Sequence, residues 1–517
     1  MSHLLLPYQI LILFYFFSIN SVYTVLNLLA FVEVHRQARR AFIDDYAYML
    51  RSRLAPPVTV LVPCMNEDAT IVENVHSLLT GKYPAFEIIV INDGSTDETL
   101  TRLVEAFDLV KVSRVLRDDI GTRPVRAIYK DPADPRLIVI DKENGGKADA
   151  LNVGINATHM PYILTIDADV ILDEEALLRI MKPIMDDPEH VMAGGGIVRI
   201  VNECEVQGGQ VIQPHLPKQP LVLFQIVEYM RAFTAGRAGF AHLNSLAIIS
   251  GAFAVMSADL ARGVGGFSTR TVGEDLEIMI RMHRYLRRQK RDYRFFYAAF
   301  PICWTEAPAK LRLLGRQRSR WQRGLSETIW RHKSMILNPR YGRIGLFTMP
   351  VMFFFEWLGP IFEASGYAYF LLVLILGEYD LWFVLPFLSI AVLWGVLLSV
   401  LSVAMQDIEF RWLSRWRSLY RLISFAIAEN LGYRQLTVIW RLRGLAAWLA
   451  GRQQWGEMPR EGFAHAPAGG GMPAGAGLTD GGGLTDGGGL TGGSGLPETS
   501  GIDYANSSRD KGSQEKG

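Results

Sequence analysis

Three polar signatures occur in chain order: Asp167-Ala168-Asp169, then Glu274-Asp275, then Gln317 to Trp321, which reads QRSRW. Two aspartates separated by one residue can present carboxylate oxygens to a single hard divalent cation, which still needs phosphate oxygens or water to complete its shell. That donor set suits a substrate with a diphosphate leaving group, because the cation neutralises charge as the group departs. Lys147, in Gly145-Gly146-Lys147, can approach the same phosphates, since glycines let the backbone come close. One Asp-x-Asp alone carries little weight, because a chain of this length holds about one by chance. Taken singly, Lys147 reads as a solvated lysine at a helix start and Trp321 as an interfacial anchor beside a membrane.

These residues need a scaffold, and the sequence between Pro57 and about Val201 supplies a pattern for one. Short β-branched runs at Val58 to Val62, Glu87 to Ile91, Leu137 to Ile140, Tyr162 to Ile166 and Val191 to Val201 alternate with helical patterns. The alternation predicts a mostly parallel sheet with helices on both faces. Ligands of such sheets bind at the carboxyl ends of the strands. There the sequence is polar each time: Asn66-Glu67, Asn92-Asp93-Gly94-Ser95, Asp141 to Lys147, and Asp167 to Asp169. Ser95 with Glu98 fits a helix capping box, and Asp93-Gly94 fits a turn. Neither reading explains why four strand ends bring acids or amides to one edge.

The rest of the chain is unusually apolar: 49% of its 517 residues are hydrophobic despite a polar, Gly-rich end. Leu4 to Val32 and Leu381 to Met405 carry no charge, and each is long enough to cross a hydrocarbon core of about 30 Å. A cleaved signal peptide is the rival reading of the first, but no basic region precedes it. Ile344 to Leu376 is interrupted by Glu356, Pro360 and Glu363, which suggests a kinked span with its acids facing protein or water. The alternative places Gly345 to Phe355 in the interface. Arg36, Arg39 and Arg40 mark the end of the first span as cytoplasmic and the N-terminus as outside. Trp412 to Leu449 reads as amphipathic and interfacial, with a fourth span near Leu419 to Tyr433 as an open alternative. From Gly469 onward the composition is that of a disordered segment. A net charge of +1 gives no reason to invoke nucleic acid. Cys64, Cys204 and Cys303 are too few and too scattered for a disulfide framework or a zinc site.

Together these motifs resemble the family 2 glycosyltransferases, in particular the processive membrane branch that includes hyaluronan, chitin, cellulose and poly-N-acetylglucosamine synthases. The resemblance runs from about Pro57 to Gly324 and rests on NDGSTD (Asn92 to Asp97), NGGKADALN (Asn144 to Asn152), DAD (Asp167 to Asp169), GED (Gly273 to Asp275) and QRSRW. It implies an α/β GT-A fold, a Rossmann-like mixed sheet, joined to an α-helical transmembrane region, and an inverting mechanism. Residues 1–33 would be an N-terminal transmembrane helix, 34–56 a cytoplasmic linker, and 57–310 the GT-A domain. Residues 311–343 would be interfacial helices, 344–405 two spans, 406–462 an amphipathic segment, and 463–517 the disordered tail.

Site roles follow from the same resemblance. Glu67 and Asp93 would sit in the uridine pocket, Lys147 and Asp167 near the diphosphate, and Asp169 with Asp167 on a Mg²⁺ or Mn²⁺ ion. Asp275, beside Glu274, would be the general base, Arg320 would hold diphosphate, and Gln317 and Trp321 would cap the nucleotide site and the acceptor sugar. Trp321 offers a flat apolar face to a sugar ring. Two positions depart from the family pattern: no aromatic precedes Asn66-Glu67, and Gly273 stands where Thr is usual before the acid pair. The helical stripe Phe224 to Phe233 reads as core packing, or as an acceptor-side wall near the membrane mouth.

The implied function is polymerisation of a UDP-sugar, with UDP-N-acetylglucosamine the first choice, onto a growing glycan by an integral protein of the cell (inner) membrane, catalytic domain in the cytoplasm. Single transfer to a lipid acceptor is the enzyme alternative. A degenerate domain serving as an export subunit is the non-enzymatic one, weakened by the presence of Asp167, Asp169, Asp275 and Trp321. No cyclic-dinucleotide module is visible after the last span, although an accessory export subunit could supply regulation.

Overall fold

The computed structural model describes residues 2–41, 46–51, 55–207, 209–376, 381–410 and 416–451. The segment from Gly469 onward, read above as disordered, lies outside them. At the centre is a ten-stranded sheet in the order β3-β4-β5-β2-β1-β6-β11-β8-β12-β7, with a separate β9-β10 hairpin. The strands are β1 (Val58–Cys64), β2 (Phe86–Asn92), β3 (Val110–Val112), β4 (Val125–Lys130), β5 (Leu137–Lys142), β6 (Tyr162–Ile166), β7 (Val170–Leu172), β8 (Val191–Ile200), β9 (Glu205–Gln207), β10 (Gln210–Gln213), β11 (Phe253–Ser257) and β12 (Arg294–Thr305).

The five runs expected as strands are β1, β2, β5, β6 and β8. Each is a near-continuous apolar stretch because it is covered on both faces; every residue of β1, β5 and β8 is buried. The expectation of a mostly parallel sheet needs correcting. The β5-β2-β1-β6 core is parallel, but β11 inserts antiparallel between β6 and β8, and β4 and β7 pair antiparallel with β5 and β12. The sheet is therefore mixed. β11 was missed because Phe253 to Ser257 runs directly into the helix Ala258–Gly263, with no turn residues between them to set it off as a strand.

Among the described residues, three helices are long and apolar enough to cross a membrane: Leu6–Arg40, Gly359–Leu376 and Leu381–Gln406. The first continues to Ala41, well past the expected end of its apolar stretch. It docks on the helix Ala238–His242 through Gly239, where an added Cβ would lie 2.5 Å from the Leu26 carbonyl oxygen. The stretch from Ile344 to Leu376 is divided: a shorter apolar helix, Ile344–Trp357, precedes Gly359–Leu376. Pro360 at the junction has no N–H to continue the ladder. The fourth-span alternative is not matched. The helix Trp416–Ala428 is 13 residues long, and non-helical backbone at Leu431 and Gly432 (φ +112°) separates it from the helix Arg434–Leu449.

Candidate active site

The carboxyl ends of β1, β2, β5 and β6 share one edge of the sheet, as the parallel register requires. At the end of β2, Gly94 takes φ +67° and lies so close to the β5 loop that a Cβ would sit 2.9 Å from the Asn144 nitrogen. The loop after β5 ends at Gly146, φ +85°, the residue preceding the helix Lys147–Ala157. Both positions need glycine for its left-handed backbone.

Asp93 is folded inward. Its Oδ1 accepts from Lys142 Nζ at 2.6 Å and from the Gly145 N–H at 3.0 Å, and its Oδ2 from the Gly146 N–H at 2.7 Å. Lys142 is fully buried and also pairs with Asp149 at 2.7 Å. This buried lysine, missed in the sequence reading, had a signal: a cation directly after the apolar run Leu137 to Ile140 and Asp141. Glu67 lies at the end of β1, where its N–H donates to Thr99 Oγ1 at 2.9 Å and its carboxylate accepts from Thr70 Oγ1 at 3.3 Å. The Ser95–Glu98 capping box does not form. The helix begins at Thr99, whose N–H donates to Asp97 Oδ1 at 3.0 Å, while Ser95 Oγ accepts from the Asn66 N–H.

Lys147, Asp167, Glu274 and Asp275 meet around Gly251. Lys147 pairs with Asp167 and lies 3.7 Å from Glu274. The Gly251 N–H donates to Asp275 Oδ2 at 3.1 Å, and a Cβ on Gly251 would intrude between that carboxylate and the Lys147 ammonium. Glu274 and Asp275 open the helix Glu274–Arg288, where the N-terminal dipole favours anions. Burial pushes the Glu274 carboxyl above its ordinary value, against the pull of Lys147 and Arg320. Burial alone would lower the Lys147 ammonium, but Asp167 and Glu274 hold it above its ordinary value. Asp169 is buried, and its Oδ2 accepts from Thr305 Oγ1 of β12 at 3.2 Å.

The QRSRW segment lies on the helix Leu311–Arg331. Gln317 Oε1 accepts from Arg318 Nη1 at 2.9 Å, and the Arg318 guanidinium lies 4.2 Å from the ring centre of Trp321, which is 45% exposed. Arg318 is itself buried against Glu228 at 2.7 Å, and the Tyr433 hydroxyl donates to the same carboxylate oxygen. Ser319 Oγ donates to the Trp440 carbonyl, and Gln322 Oε1 accepts from Arg441 Nε. The residues between the motif's named positions thus dock this helix on the C-terminal helices. Their signal was spacing: Arg318, Gln322 and Ser326 recur every four residues and form one buried face. The Phe224 stripe also packs toward those helices, with Phe224 stacked on Tyr433 at 5.0 Å.

The profile of Glycosyl transferase family 2 matches residues 59–237, and that of Glycosyl transferase family group 2 matches residues 162–403. The two matches together run from residue 59 to residue 403 and mark this part of the chain as a family 2 glycosyl transferase region. The chain is 29% identical over 275 residues to a poly-beta-1,6-N-acetyl-D-glucosamine synthase of Staphylococcus aureus (strain COL), covering 53% of this chain and 56% of that one. A synthase of the same name from Staphylococcus epidermidis is 26% identical over 274 residues, again covering 53% and 56%. The matched part spans just over half the length of these curated relatives. Among solved structures, mannosyltransferase PcManGT from Pyrobaculum calidifontis, in complex with GDP-Man and Mn²⁺, aligns with a TM-score of 0.44 and 17% identity, covering 85% of this chain and 100% of that one. S. aureus TarS 1–349 aligns with a TM-score of 0.35 and 13% identity, covering 73% and 91%.

Proposed function

We propose that this protein is an inverting, processive β-glycosyltransferase that polymerises a UDP-sugar, with UDP-N-acetylglucosamine as donor, and passes the glycan through its own helices. The observation that carries the reading is the meeting of Lys147 and Asp167 with Glu274 and Asp275 around Gly251, at the strand ends where this fold binds ligands. The choice of sugar is supported by the names of the staphylococcal relatives.

In this reading Asp275, held by the Gly251 N–H, accepts the proton of the acceptor hydroxyl as its oxygen attacks the anomeric carbon from the face opposite the diphosphate. The bond from that carbon to the diphosphate oxygen breaks, and UDP leaves. A carboxylate with a reference pKa near 4 is a weak base for a sugar hydroxyl, so transfer is concerted with attack and geometry outweighs basicity. Lys147 and Arg320 hold the diphosphate, Glu67 lines the uridine end, where Asp93 shapes the pocket by holding the Lys142 to Lys147 loop in place, and Gln317 and Trp321 cover the nucleotide and the acceptor ring. Among the described residues no group of three or more His, Cys, Asp or Glu side chains could hold a metal ion. Asp167 and Asp169 offer oxygen ligands alone, which fits Mg²⁺ or Mn²⁺ completed by phosphate oxygens. Such an ion, when bound, neutralises charge on the departing diphosphate.

Passage through the helices is supported by the charges set between them. Arg441 pairs with Glu356 at 3.1 Å and Arg231 with Glu429 at 2.5 Å, while the Tyr23 hydroxyl donates to Glu356. Ionisable groups among apolar helices face a protein-lined or watery path. The catalytic region, 57–310, faces the cytoplasm, and the glycan leaves on the side of the N-terminus.

The test is incorporation from a panel of labelled UDP-sugars by the full chain in lipid with Mg²⁺ or Mn²⁺, beside Asp275→Asn, with products sized. A high-mass product lost in the variant is expected. A short lipid-linked product would replace the reading by single transfer, and no turnover with any donor would sink it.

A further inference from the structure

The two motif-bearing segments, GED and QRSRW, touch at a pair of glycines. A Cβ on Gly324 would lie 2.8 Å from both the Cα and the nitrogen of Gly273, and a Cβ on Gly273 would lie 3.0 Å from Gly324 Cα and 3.2 Å from its carbonyl carbon. Conformation does not require either glycine. Gly273 has φ −122°, open to any residue, and Gly324 sits inside the helix Leu311–Arg331, where glycine costs about 1 kcal/mol relative to alanine. What the pair supplies is closeness of two backbones with no side chain between them.

The contact is clamped on both sides. The Val272 N–H donates to Glu327 Oε2 at 2.9 Å, and Arg323 Nε donates to Glu327 Oε1 at 2.8 Å. Farther along, Arg331 Nη1 donates to Ser268 Oγ at 2.7 Å, and His332 Nε2 meets Glu277 Oε1 at 3.1 Å. Residues three and four apart share a helix face, so Gly324 lies on the same side as Trp321 and Arg320. Its distance from Gly273 therefore sets how close that face stands to Glu274 and Asp275, the next two residues of the chain.

We infer that Gly273 and Gly324 form a backbone seam that positions the QRSRW face over the acid pair, so that both are positioning residues for the transfer step. This rests on the proposed glycosyl transfer. The seam also accounts for the departure at Gly273: a threonine there needs room that Gly324 occupies. Gly273→Thr, though it restores the residue usual in the family, should impair this protein.

The experiment uses the full chain in lipid, comparing wild type with Gly324→Ala, Gly273→Ala, Gly273→Thr and the milder Glu327→Gln. Three quantities are read: kcat and KM for the active labelled UDP-sugar, affinity for UDP with Mg²⁺, and hydrogen exchange of segments 268–276 and 317–327. A displacement of about 1 Å costs about 100-fold in rate, so kcat should fall toward that extent in Gly324→Ala and Gly273→Thr. KM and UDP affinity should stay within about threefold, the mark of an interaction that acts in the transition state. The two segments should exchange faster together, while β1 and β5 keep their protection. Unchanged kcat in both alanine variants, or accelerated exchange throughout the sheet, would overturn the positioning role. Should the wild type turn over no donor, glycosyl transfer fails, and joint exchange of the two segments still decides whether the seam exists.

Discussion

β2 and β6 flank β1, and each leads into an acid at the same sheet edge, yet the two acids have opposite surroundings. The Asp93 side chain is 4% exposed and saturated by Lys142 and two backbone N–H groups, whereas the Asp167 side chain is 29% exposed and meets Lys147. Both lysines come from one stretch six residues long, with Lys142 fully buried and Lys147 a quarter exposed. One lysine–acid pair is spent on folding the loop between them, and that loop delivers the other pair to the cleft. Similar strand-end acids thus divide into a saturated scaffold centre and an open one, the reactive centre of the proposed transfer, and variants should separate the two.

The largest effect belongs to the reactive side. Asp275→Asn removes the candidate base while keeping an oxygen for the Gly251 N–H, so transfer should fall about 1000-fold or more, within the range for general-base loss. The thermal midpoint should move by only a few degrees, because one part-buried hydrogen bond changes character and is not lost. A labelled-sugar assay beside a melting curve checks both; a variant that loses activity only in proportion to folded protein would remove the distinction.

On the scaffold side, Lys142→Met should do the reverse. It leaves Asp93 and Asp149 buried without their shared cation, a loss of about 3 to 5 kcal/mol for breaking a buried pair. The midpoint should drop by roughly 10 °C or more. Lys147→Met, five residues on, should retain the midpoint and lose turnover. Equal melting of the two variants would mean that the two centres are not separate.

The same division explains what could be read in advance. The parallel strands β1, β2, β5 and β6 were legible because each is a short apolar run ending in polar residues, and the edge they share follows from parallel pairing; β12, parallel to β8, was not. Asp167, Asp169, Asp275 and Trp321 were legible as types in an order. What Asp93 does was not, because the bonds that saturate it come from residues 49 to 53 positions away. β11 was hidden for a related reason: its place between β6 and β8 is set by register across about 90 residues, which no local pattern encodes. Arg318 and Ser319 received no role from the sequence, because their partners, Glu228 and the Trp440 carbonyl, lie 90 and 121 positions away.

A third test lies on the acid-pair helix, below the reactive end. Burial pushes the His283 imidazole down to about 4, with Nδ1 2.6 Å from the Tyr293 hydroxyl and Nε2 2.9 Å from the Leu246 carbonyl. As pH falls below about 6.5, the unfolded chain takes up a proton that the folded chain refuses. Stability is therefore lost between about pH 6.5 and 4, by about 3 kcal/mol at most, and the loss levels off below that. Melting curves from pH 7.5 to 4 should show this slope, and His283→Gln should flatten it. A parallel slope in the variant would assign the acid sensitivity to other groups.

The smallest effect is expected where the two kinds of centre overlap. Glu274 is buried like Asp93 yet lies beside the reactive pair, and its carboxyl is raised by that burial. For an acid raised on folding, the unfolded chain ionises first as pH rises, so the folded state loses stability from the ordinary value up to the raised one and stays lower above it. Glu274→Gln removes that loss. At neutral pH it should raise the midpoint slightly, while turnover falls by less than in Asp275→Asn, because Lys147 loses one of its two carboxylate partners and keeps Asp167. If the midpoint falls instead, the charge of Glu274 stabilises the site through Lys147 and Arg320 more than burial opposes it, and Glu274 belongs with Asp93 among the scaffold acids.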